Sequence, residues 1–409
     1  MALNQIEEMG LRNSAFEYIL EPKGRNTAPA VALACLSVDP EEMVFVSPTD
    51  HIITNTEAYQ NAASLAEKAA ADGYLVTFGI QPTSPETGYG YIEAENSGAS
   101  VRKAVSFKEK PERKTAEEYI ASGNYFWNSG MFCFKAGVFL DELKQYCPDI
   151  YEKSVMAFNK SPLDDGVRNI DMDDMLAIPE NSIDYAVMEK SPLVMVIPVD
   201  LGWNDVGSYD ALDKEFLKDS NGNSGMENNI AVDSVNVTAV SDKVVAVLGV
   251  NDLFIIDTKD ALLVAKKGMT QKIKDIVPML ENAGKSDKKY TDLTTLHTTA
   301  HRPWGSYTVL EDSERYKMKR IVVKPGKRLS LQKHYHRSEH WVVVSGSAVV
   351  TKGDEEIFLK TNESIYIPMG IIHRLENSGK IDLVVLEIQV GEYLAEDDIV
   401  RIEDDFKRG

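Results

Sequence analysis

The chain has 409 residues, a length that predicts two or three domains and a sizeable core. Its net charge of −20 argues against a general binder of nucleic acid or anionic membranes, although local cations can still bind a small anion. The sequence has no apolar run of the roughly 18 residues that a membrane-spanning helix needs, and its start does not resemble a signal peptide. Three widely spaced cysteines (Cys35, Cys133 and Cys147) are typical of reduced thiols, so we expect a cytoplasmic protein.

The first half alternates strand-like and helix-like segments. Apolar, strand-like runs occupy 16–21, 42–48 and 74–80, and helical patterns occupy 27–38 and 58–73. Strands that alternate with helices of this length predict βαβ units, and therefore an α/β domain with a mostly parallel sheet.

The pattern changes after residue 222, where the α/β domain (1–222) is expected to end. Short β-branched runs between turn residues predict a small β-rich subdomain at 223–284, without an apparent internal repeat. The polar stretch 285–301 is typical of a linker. Short strands with tight turns then predict an all-β barrel or sandwich over 302–409.

Four of the seven histidines lie between residues 334 and 373. Alternate residues of a strand face the same side, so Gln332 and His334 can point together into a barrel. A hairpin partner can supply Glu339, and a later strand can supply His373. Nitrogen and oxygen donors of this kind suit Zn, Mn, Fe, Co or Ni. A second register, with His334 and His336 as the first two ligands, remains an alternative.

These stretches resemble the paired motifs of the cupin fold. Gln332 replaces the usual first histidine, as in the Gln-His-Glu-His metal site of phosphomannose isomerases, and Asn362 stands where the second motif has a glycine. The resemblance implies a barrel that interconverts fructose 6-phosphate and mannose 6-phosphate with a bound metal. Lys333, Arg337 or Arg374 would then hold the phosphate, with Lys333 and Arg337 also as candidate catalytic groups.

Five short segments in the first half carry polar groups suited to a sugar nucleotide. Asp50 follows an apolar strand, at the edge where open α/β sheets bind ligands, and Asp205 adds a distant second acid. Two carboxylates that converge on Mg²⁺ suit nucleotidyl transfer. Glu109 can accept from sugar hydroxyls, and Lys110 can bind a phosphate. The segments are 48–51, 87–91, 107–111, 127–132 and 203–208.

In this order the segments resemble bacterial mannose-1-phosphate guanylyltransferases fused to a type II mannose-6-phosphate isomerase. The segments 24–29, 182–185 and 302–305 also match, and the resemblance runs from about residue 17 to 407. It implies a Rossmann-like nucleotidyltransferase domain that makes GDP-mannose and diphosphate from GTP and mannose 1-phosphate, for polysaccharide precursors. With the charge and the cysteines, we expect a cytoplasmic enzyme without nucleic-acid or membrane partners and with a homo-oligomer as an allowed state.

The resemblance implies roles for individual residues. Asp50 and Asp205 would be the Mg²⁺ ligands and part of the catalytic set, which also includes Lys110, the contact to the sugar phosphate. The other implied contacts are Tyr89, Gly90, Glu109 and Asn128 to the sugar, and Arg25, Asn26 and Thr27 near the guanine nucleotide.

The family normally opens with a strand and a glycine-rich loop that cradles the nucleotide phosphates. The 409 residues contain no counterpart. We therefore expect an N-terminally incomplete sheet and weak nucleotidyl transfer. The alternative expectation is a protein that acts only as the isomerase, or one that binds sugar phosphates without catalysis.

Overall fold

The computed structural model describes residues 16–164, 166–225, 229–259, 261–284 and 299–403. The chain forms two compact units that divide between Glu215 and Phe216. Among the described residues, no helix combines the length and the apolar character that crossing a bilayer would require.

The first unit is an α/β domain. Its strands are β1 (Tyr18–Leu20), β2 (Met43–Val46), β3 (Ile52–Ile53), β4 (Leu75–Ile80), β5 (Gly90–Ala94), β6 (Arg102–Glu109), β7 (Tyr125–Lys135), β8 (Leu163–Asp164), β9 (Val167–Asn169), β10 (Val194–Val199) and β11 (Trp203–Asn204). Its helices are α1 (Thr27–Leu36), α2 (Thr56–Ala71), α3 (Arg113–Ser122), α4 (Ala136–Tyr146), α5 (Pro148–Lys160), α6 (Met172–Ala177) and α7 (Tyr209–Leu212), with a π-helix at Asp184–Met188.

The main sheet is mixed rather than mostly parallel. Its strand order is β2-β7-β4-β10-β6-β5, and among the described residues only β4 and β10 form a parallel ladder in it. Strands β2, β4 and β10 do run in one direction. The long strand β7 returns between β2 and β4 and pairs antiparallel with both.

Helices cover both faces of this sheet. Strand β4 is buried along its whole length, as a strand packed on two sides must be. On one face, α2 presents Ala62, Ala66 and Ala70, whose four-residue spacing forms one small, fully buried stripe. On the other face, α1, α4 and α5 pack around Phe134 and Phe139, which are stacked with their ring centroids 5.0 Å apart.

The second unit begins with a parallel coil. Its strands are β12 (Ile230–Val232), β13 (Thr238–Val240), β14 (Ala246–Leu248), β15 (Leu253–Asp257) and β16 (Leu262–Lys266), and helix α8 (Ile273–Gly284) follows. Strand β12 pairs parallel with β14, and β13 with β15. Each partner lies 16 residues further along the chain, so this segment has a repeat that the sequence did not reveal.

The rest of the second unit is a β-barrel built from two sheets. The first is ordered β17 (Thr299–Arg302), β18 (Gly305–Asp312), β19 (Tyr316–Val323), β26 (Leu383–Gly391), β21 (Arg337–Ser345) and β24 (Ser364–Ile367). The second is ordered β23 (Glu355–Lys360), β22 (Ser347–Lys352), β25 (His373–Glu376), β20 (Leu331–His334) and β27 (Ile399–Glu403). Both contribute to one apolar core, in which Trp341 and Val385 of one sheet pack with Val350 and Leu375 of the other.

The predicted linker at 285–301 lies largely outside the described residues. Its last three residues belong to β17, which pairs antiparallel with β18. The expected domain boundaries otherwise stay predictions.

Candidate functional sites

A short ribbon brings the two predicted Mg²⁺ ligands of the first unit together. Strands β3 and β11 are far apart in sequence, yet Ile52 pairs with Asn204 and Ile53 with Trp203. This register sets Asp50 and Asp205 at the same end of the ribbon. His51 follows Asp50 in the chain and feels the charge of both carboxylates.

Asp205 is held in place by hydrogen bonds to one oxygen. The hydroxyl of Tyr89 donates to Asp205 Oδ1 at 2.8 Å, and the backbone N–H of Gly207 donates to the same atom at 3.1 Å. Val206, which lies between Asp205 and Gly207 in the chain, has a positive φ of 49°. The turn therefore stabilises one orientation of the carboxylate. Burial and this hydrogen bond raise the pKa of Tyr89, which keeps its hydroxyl a donor.

His51 is a site residue to which sequence reasoning assigned no role. Trp203 Nε1 donates to His51 Nδ1 at 3.1 Å, so Nδ1 accepts and the proton of the neutral ring is on Nε2. Burial lowers the pKa of His51, against the opposing effect of Asp50 and Asp205. A neutral imidazole adds no positive charge that would compete with a cation at these acids.

The predicted sugar contacts form one wall beside Tyr89. Gly90 pairs with Glu109 across β5 and β6, and a Cβ on Gly90 would collide with Glu109 Oε2. The absence of a Cβ at Gly90 lets the Glu109 carboxylate lie directly over the backbone. Lys110 Nζ lies 2.8 Å from Glu109 Oε1, and that hydrogen bond raises the pKa of Lys110. Asn128 Nδ2 donates to Asp184 Oδ1 at 3.0 Å.

The predicted nucleotide contacts are fixed against residues 178–183. Arg25 Nε donates to the carbonyl of Ile178 at 2.8 Å, and Thr27 Oγ1 accepts from the backbone N–H of Ile183 at 2.8 Å. Asn26 has a positive φ of 69°, and its side chain accepts from the N–H of Thr27 at the start of α1. These hydrogen bonds connect the segment that begins α1 to the backbone immediately before Asp184.

The barrel of the second unit collects the predicted cupin ligands. Gln332 pairs directly with His373 across β20 and β25. His334 Nε2 lies 3.0 Å from Glu339 Oε1, and His373 Nε2 lies 3.6 Å from Glu339 Oε2. The ligand atoms of His334, Glu339 and His373 all lie within 4.8 Å of one another, and the three side chains are at most 2% exposed.

The hydrogen bonds of His373 fit a metal ligand. Its Nδ1 lies 2.8 Å from the carbonyl oxygen of Ile371, which can only accept, so Nδ1 carries the proton. Nε2 is then a bare acceptor that faces a carboxylate oxygen, and this buried atom has no hydrogen-bond partner among the described residues. Burial lowers the pKa of His373 and keeps the ring neutral. A cation between His373 Nε2 and the facing carboxylate oxygen of Glu339 would satisfy both atoms. An imidazole oriented by a hydrogen bond to a backbone carbonyl is typical of metal sites.

Gln332 stands beside this group with its amide nitrogen towards it. Nε2 lies 3.5 Å from His334 Nε2, while Oε1, the atom that a metal would bind, accepts from Ser330 Oγ at 2.9 Å. The three buried side chains form the centre of the candidate site, and Gln332 lies at its edge.

The inner wall near Glu339 carries polar groups that sequence reasoning missed. Trp341 Nε1 donates to both Glu339 and Glu387, and Gln389 Nε2 also donates to both carboxylates. Burial, together with the charge of Glu339, raises the pKa of Glu387 well above its usual range. Lys319 pairs with Glu387 across β19 and β26 and is almost fully buried. These residues could have been found in the sequence, because they are polar residues at inward positions of otherwise apolar strands.

The basic residues expected near the barrel site divide into two groups. Arg337 is buried, with Nε 3.3 Å from Glu339 Oε1, and so lies at the site. Lys333 and Arg374 do not, because they alternate with the inward-facing His334 and His373 and point to the opposite face. Lys333 Nζ lies over the ring of Tyr335, and Arg374 Nη2 is 2.8 Å from Glu403 Oε2.

His336, the alternative ligand, is also away from this group. Its side chain is 63% exposed, and its Nδ1 lies 2.8 Å from Asp398 Oδ1. The strand ends at His334, so His336 does not continue the alternation that directs His334 inward. The geometry favours the register that begins at Gln332.

Comparisons with known proteins identify the domains that carry both candidate sites. Family models described as nucleotidyl transferase, mannose-P isomerase/GMP-like β-helix domain and mannose-6-phosphate isomerase C-terminal match residues 1–222, 227–280 and 289–404. The xanthan biosynthesis protein XanB of Xanthomonas campestris pv. campestris is 45% identical over 100% of this chain and 86% of that protein. A putative mannose-1-phosphate guanylyltransferase of Vibrio cholerae is 46% identical over 94% of this chain and 83% of that protein.

A crystal structure described as a mannose-1-phosphate geranyltransferase from Thermus thermophilus matches with a TM-score of 0.56 and 33% identity. The match covers 64% of this chain and 77% of that chain. An α/β nucleotidyltransferase domain joined to a cupin-type barrel is thus the class that fold and site define. The chain belongs to the bifunctional mannose-1-phosphate guanylyltransferase/mannose-6-phosphate isomerase family.

The comparisons confirm the expected family and fold class. They do not bear out the expectation of weak nucleotidyl transfer, nor the alternative of an isomerase-only or non-catalytic protein.

Proposed function

We propose that the first unit transfers a guanylyl group from GTP to mannose 1-phosphate, giving GDP-mannose and diphosphate. We also propose that the barrel interconverts fructose 6-phosphate and mannose 6-phosphate. The membership of the chain in the bifunctional family supports both activities, and the cytoplasm, where both substrates and reduced thiols are expected, is the proposed compartment.

The transferase proposal depends on the convergence of Asp50 and Asp205 beside the predicted sugar wall. Mg²⁺ held by these carboxylates would neutralise phosphate charge during transfer. Tyr89 holds Asp205 in one orientation, and Lys110 offers an ammonium to the phosphate of the sugar. A sugar positioned by Glu109 and Asn128 presents a phosphate oxygen to the α-phosphorus of GTP. The new oxygen–phosphorus bond forms as the bond to diphosphate breaks.

The isomerase proposal depends on the buried group of His334, Glu339 and His373. A divalent transition metal held there would polarise the sugar carbonyl. Arg337, which is buried beside Glu339, adds positive charge inside the barrel, where the phosphosugar is anionic. Glu387, with its raised pKa, can hold a proton near neutral pH in the same wall.

The transferase proposal is tested by the formation of GDP-mannose from GTP and mannose 1-phosphate with Mg²⁺. We expect Asp205→Asn to abolish product and His373→Ala to leave it unchanged. Absence of product from the unsubstituted chain would refute the proposal.

The isomerase proposal is tested by conversion of mannose 6-phosphate before and after treatment with a chelator. We expect chelation to remove the activity, and re-addition of a divalent transition metal to restore it. Full activity in the chelated, metal-free protein would overturn the metal assignment.

A further inference from the structure

Asp184 is a half-buried acid at the sugar wall that matches none of the predicted sugar contacts. It lies in the segment 182–185, which matched the family motif, and it begins the π-helix at Asp184–Met188. Three successive residues of that π-helix, Ala186 to Met188, are buried in the core of the first unit. The acid is therefore presented at the wall by a rigidly packed element.

The side chain of Asp184 completes the hydrogen bonding of Asn128. Asn128 Oδ1 accepts from the backbone N–H of Gly130 at 3.2 Å. Thr77 Oγ1 also lies 3.2 Å from this oxygen, but its one proton is shared with the carbonyl of Met131 at 3.1 Å. Its Nδ2 donates to Asp184 Oδ1 at 3.0 Å. The backbone N–H of Gly130 can only donate and the Asp184 carboxylate accepts, so only one orientation of the Asn128 amide satisfies both partners. Without the Asp184 carboxylate, Asn128 Nδ2 would have no acceptor to fix its direction.

Asp184 also interacts electrostatically with the two other charged residues of the wall, Glu109 and Lys110. Glu109 acts on it electrostatically, and both carboxylates act on Lys110. Burial, with the charge of Glu109 second, raises the pKa of Asp184 to about 6. Keeping two acids this close is unfavourable for the fold, and such unfavourable placements are typical of functional sites.

We infer that Asp184 is a positioning residue of the transferase site, which orients the Asn128 amide for the hydroxyls of a hexose 1-phosphate. The inference rests on the proposed transferase function. It extends the predicted set of sugar contacts by a residue that acts through Asn128.

The test is calorimetric binding of mannose 1-phosphate, and separately of GTP, to the full chain and its variants. Asp184→Ala removes the acceptor, and we expect the Kd for mannose 1-phosphate to rise at least about 10-fold. Asp184→Asn can offer its own Oδ1 to Asn128, and we expect it to stay within about 3-fold of the unsubstituted chain. The Kd for GTP should not change in either variant.

A double substitution separates positioning from general damage. If Asp184 acts through Asn128, Asp184→Ala should add little to the loss caused by Asn128→Ala, because coupled residues are not additive. Ser182→Ala is the matched control, since Ser182 Oγ accepts from the N–H of Tyr185 in the same turn and is not bonded to Asn128. We expect it to bind mannose 1-phosphate normally.

The outcomes distinguish the two proposals. Additive losses, or normal binding by Asp184→Ala while Lys110→Ala is weakened, would overturn the role of Asp184 and leave the transferase function intact. Failure of the unsubstituted chain to bind mannose 1-phosphate would overturn both.

Discussion

The hydroxyl of Tyr89 donates a hydrogen bond of 2.8 Å to the carboxylate of Asp205, which is 116 residues away in the chain. The ring of Tyr89 lies edge-on between Trp127 and Trp203, with centroid distances of 5.1 and 5.4 Å. The two tryptophans therefore hold the ring of Tyr89 in place, and the hydroxyl of Tyr89 in turn orients the carboxylate of Asp205. Tyr89, a proposed sugar contact, and Asp205, a proposed metal ligand, are therefore positioned by the same set of contacts.

Tyr89→Phe should lower the rate of GDP-mannose formation about 10-fold, because a hydrogen bond to a charged group is lost while the ring packing remains. The Mg²⁺ concentration needed for half-maximal rate should rise as well. Steady-state kinetics over a Mg²⁺ series measures both. Tyr91→Phe is the control, since Tyr91 OH donates to the carbonyl of Glu86 instead; an equal loss in that variant would contradict the role given to Tyr89.

Glu339→Gln should empty the barrel site of metal, because the carboxylate is the only anionic member of the buried group. Elemental analysis of purified protein should show little bound transition metal, together with loss of isomerase activity and normal GDP-mannose formation. His336→Ala should retain its metal, because that ring is exposed and lies beside Asp398. Metal loss in His336→Ala, with retention in Glu339→Gln, would reverse the assignment of ligands.

Asp184→Asn should stabilise the first unit at neutral pH. The raised pKa means that the folded protein binds this proton more tightly than the unfolded chain does, so stability is lost as pH rises from about 4 to about 6. The substitution removes that cost, and the free energy of unfolding should increase by about 1–3 kcal/mol above pH 6. Near pH 4 the two proteins should be equally stable.

Denaturant titrations at several pH values provide this measurement. Asp141→Asn, at an exposed aspartate of α4, should show no comparable gain. A loss of stability in Asp184→Asn at neutral pH would mean that the carboxylate supports the fold itself.

Lys333→Ala should leave isomerase activity nearly unchanged, because the ammonium lies over Tyr335 on the face opposite to His334. We expect the KM for mannose 6-phosphate to change less than about 2-fold, as is usual for a residue outside the site. Arg337→Gln, inside the barrel, should raise that KM at least about 10-fold. A large KM effect in Lys333→Ala alone would return the phosphate contact to the outer lysine.

Local spacing was sufficient to predict that His334, Glu339 and His373 lie together in the barrel. His334 is one step of strand alternation from Gln332, and a hairpin and a later strand delivered Glu339 and His373 as expected. Asn362 shows why one mismatch in the motif was harmless. Its φ is 67°, the left-handed conformation that usually requires glycine and that asparagine tolerates better than most residues.

Long-range relationships were less accessible. A buried apolar strand has the same composition whether its neighbours are parallel or antiparallel, so the placement of β7 between β2 and β4 could not be predicted. Asp184 and Glu387 acquire their importance only from partners that are distant in sequence, namely Asn128 for the first and Glu339 for the second. The same applies to His51, which depends on Trp203.

The 16-residue coil was missed for a different reason. Its turns are alike in geometry and only loosely alike in sequence. Asn236 Nδ2 donates to Asp252 Oδ1 at 2.6 Å, and Ser241 Oγ to Asp257 Oδ2 at 2.7 Å, each one turn further along the chain. Its buried positions hold residues as different as Val237, Thr238 and Phe254.

Such a coil tolerates change in whole turns. Each turn contacts chiefly its neighbours, so its stability is a sum of local terms. An insertion or deletion of 16 residues would keep every remaining strand pair of these turns in register. Whole turns can therefore be added to this segment or removed from it while the remaining strand pairs are kept.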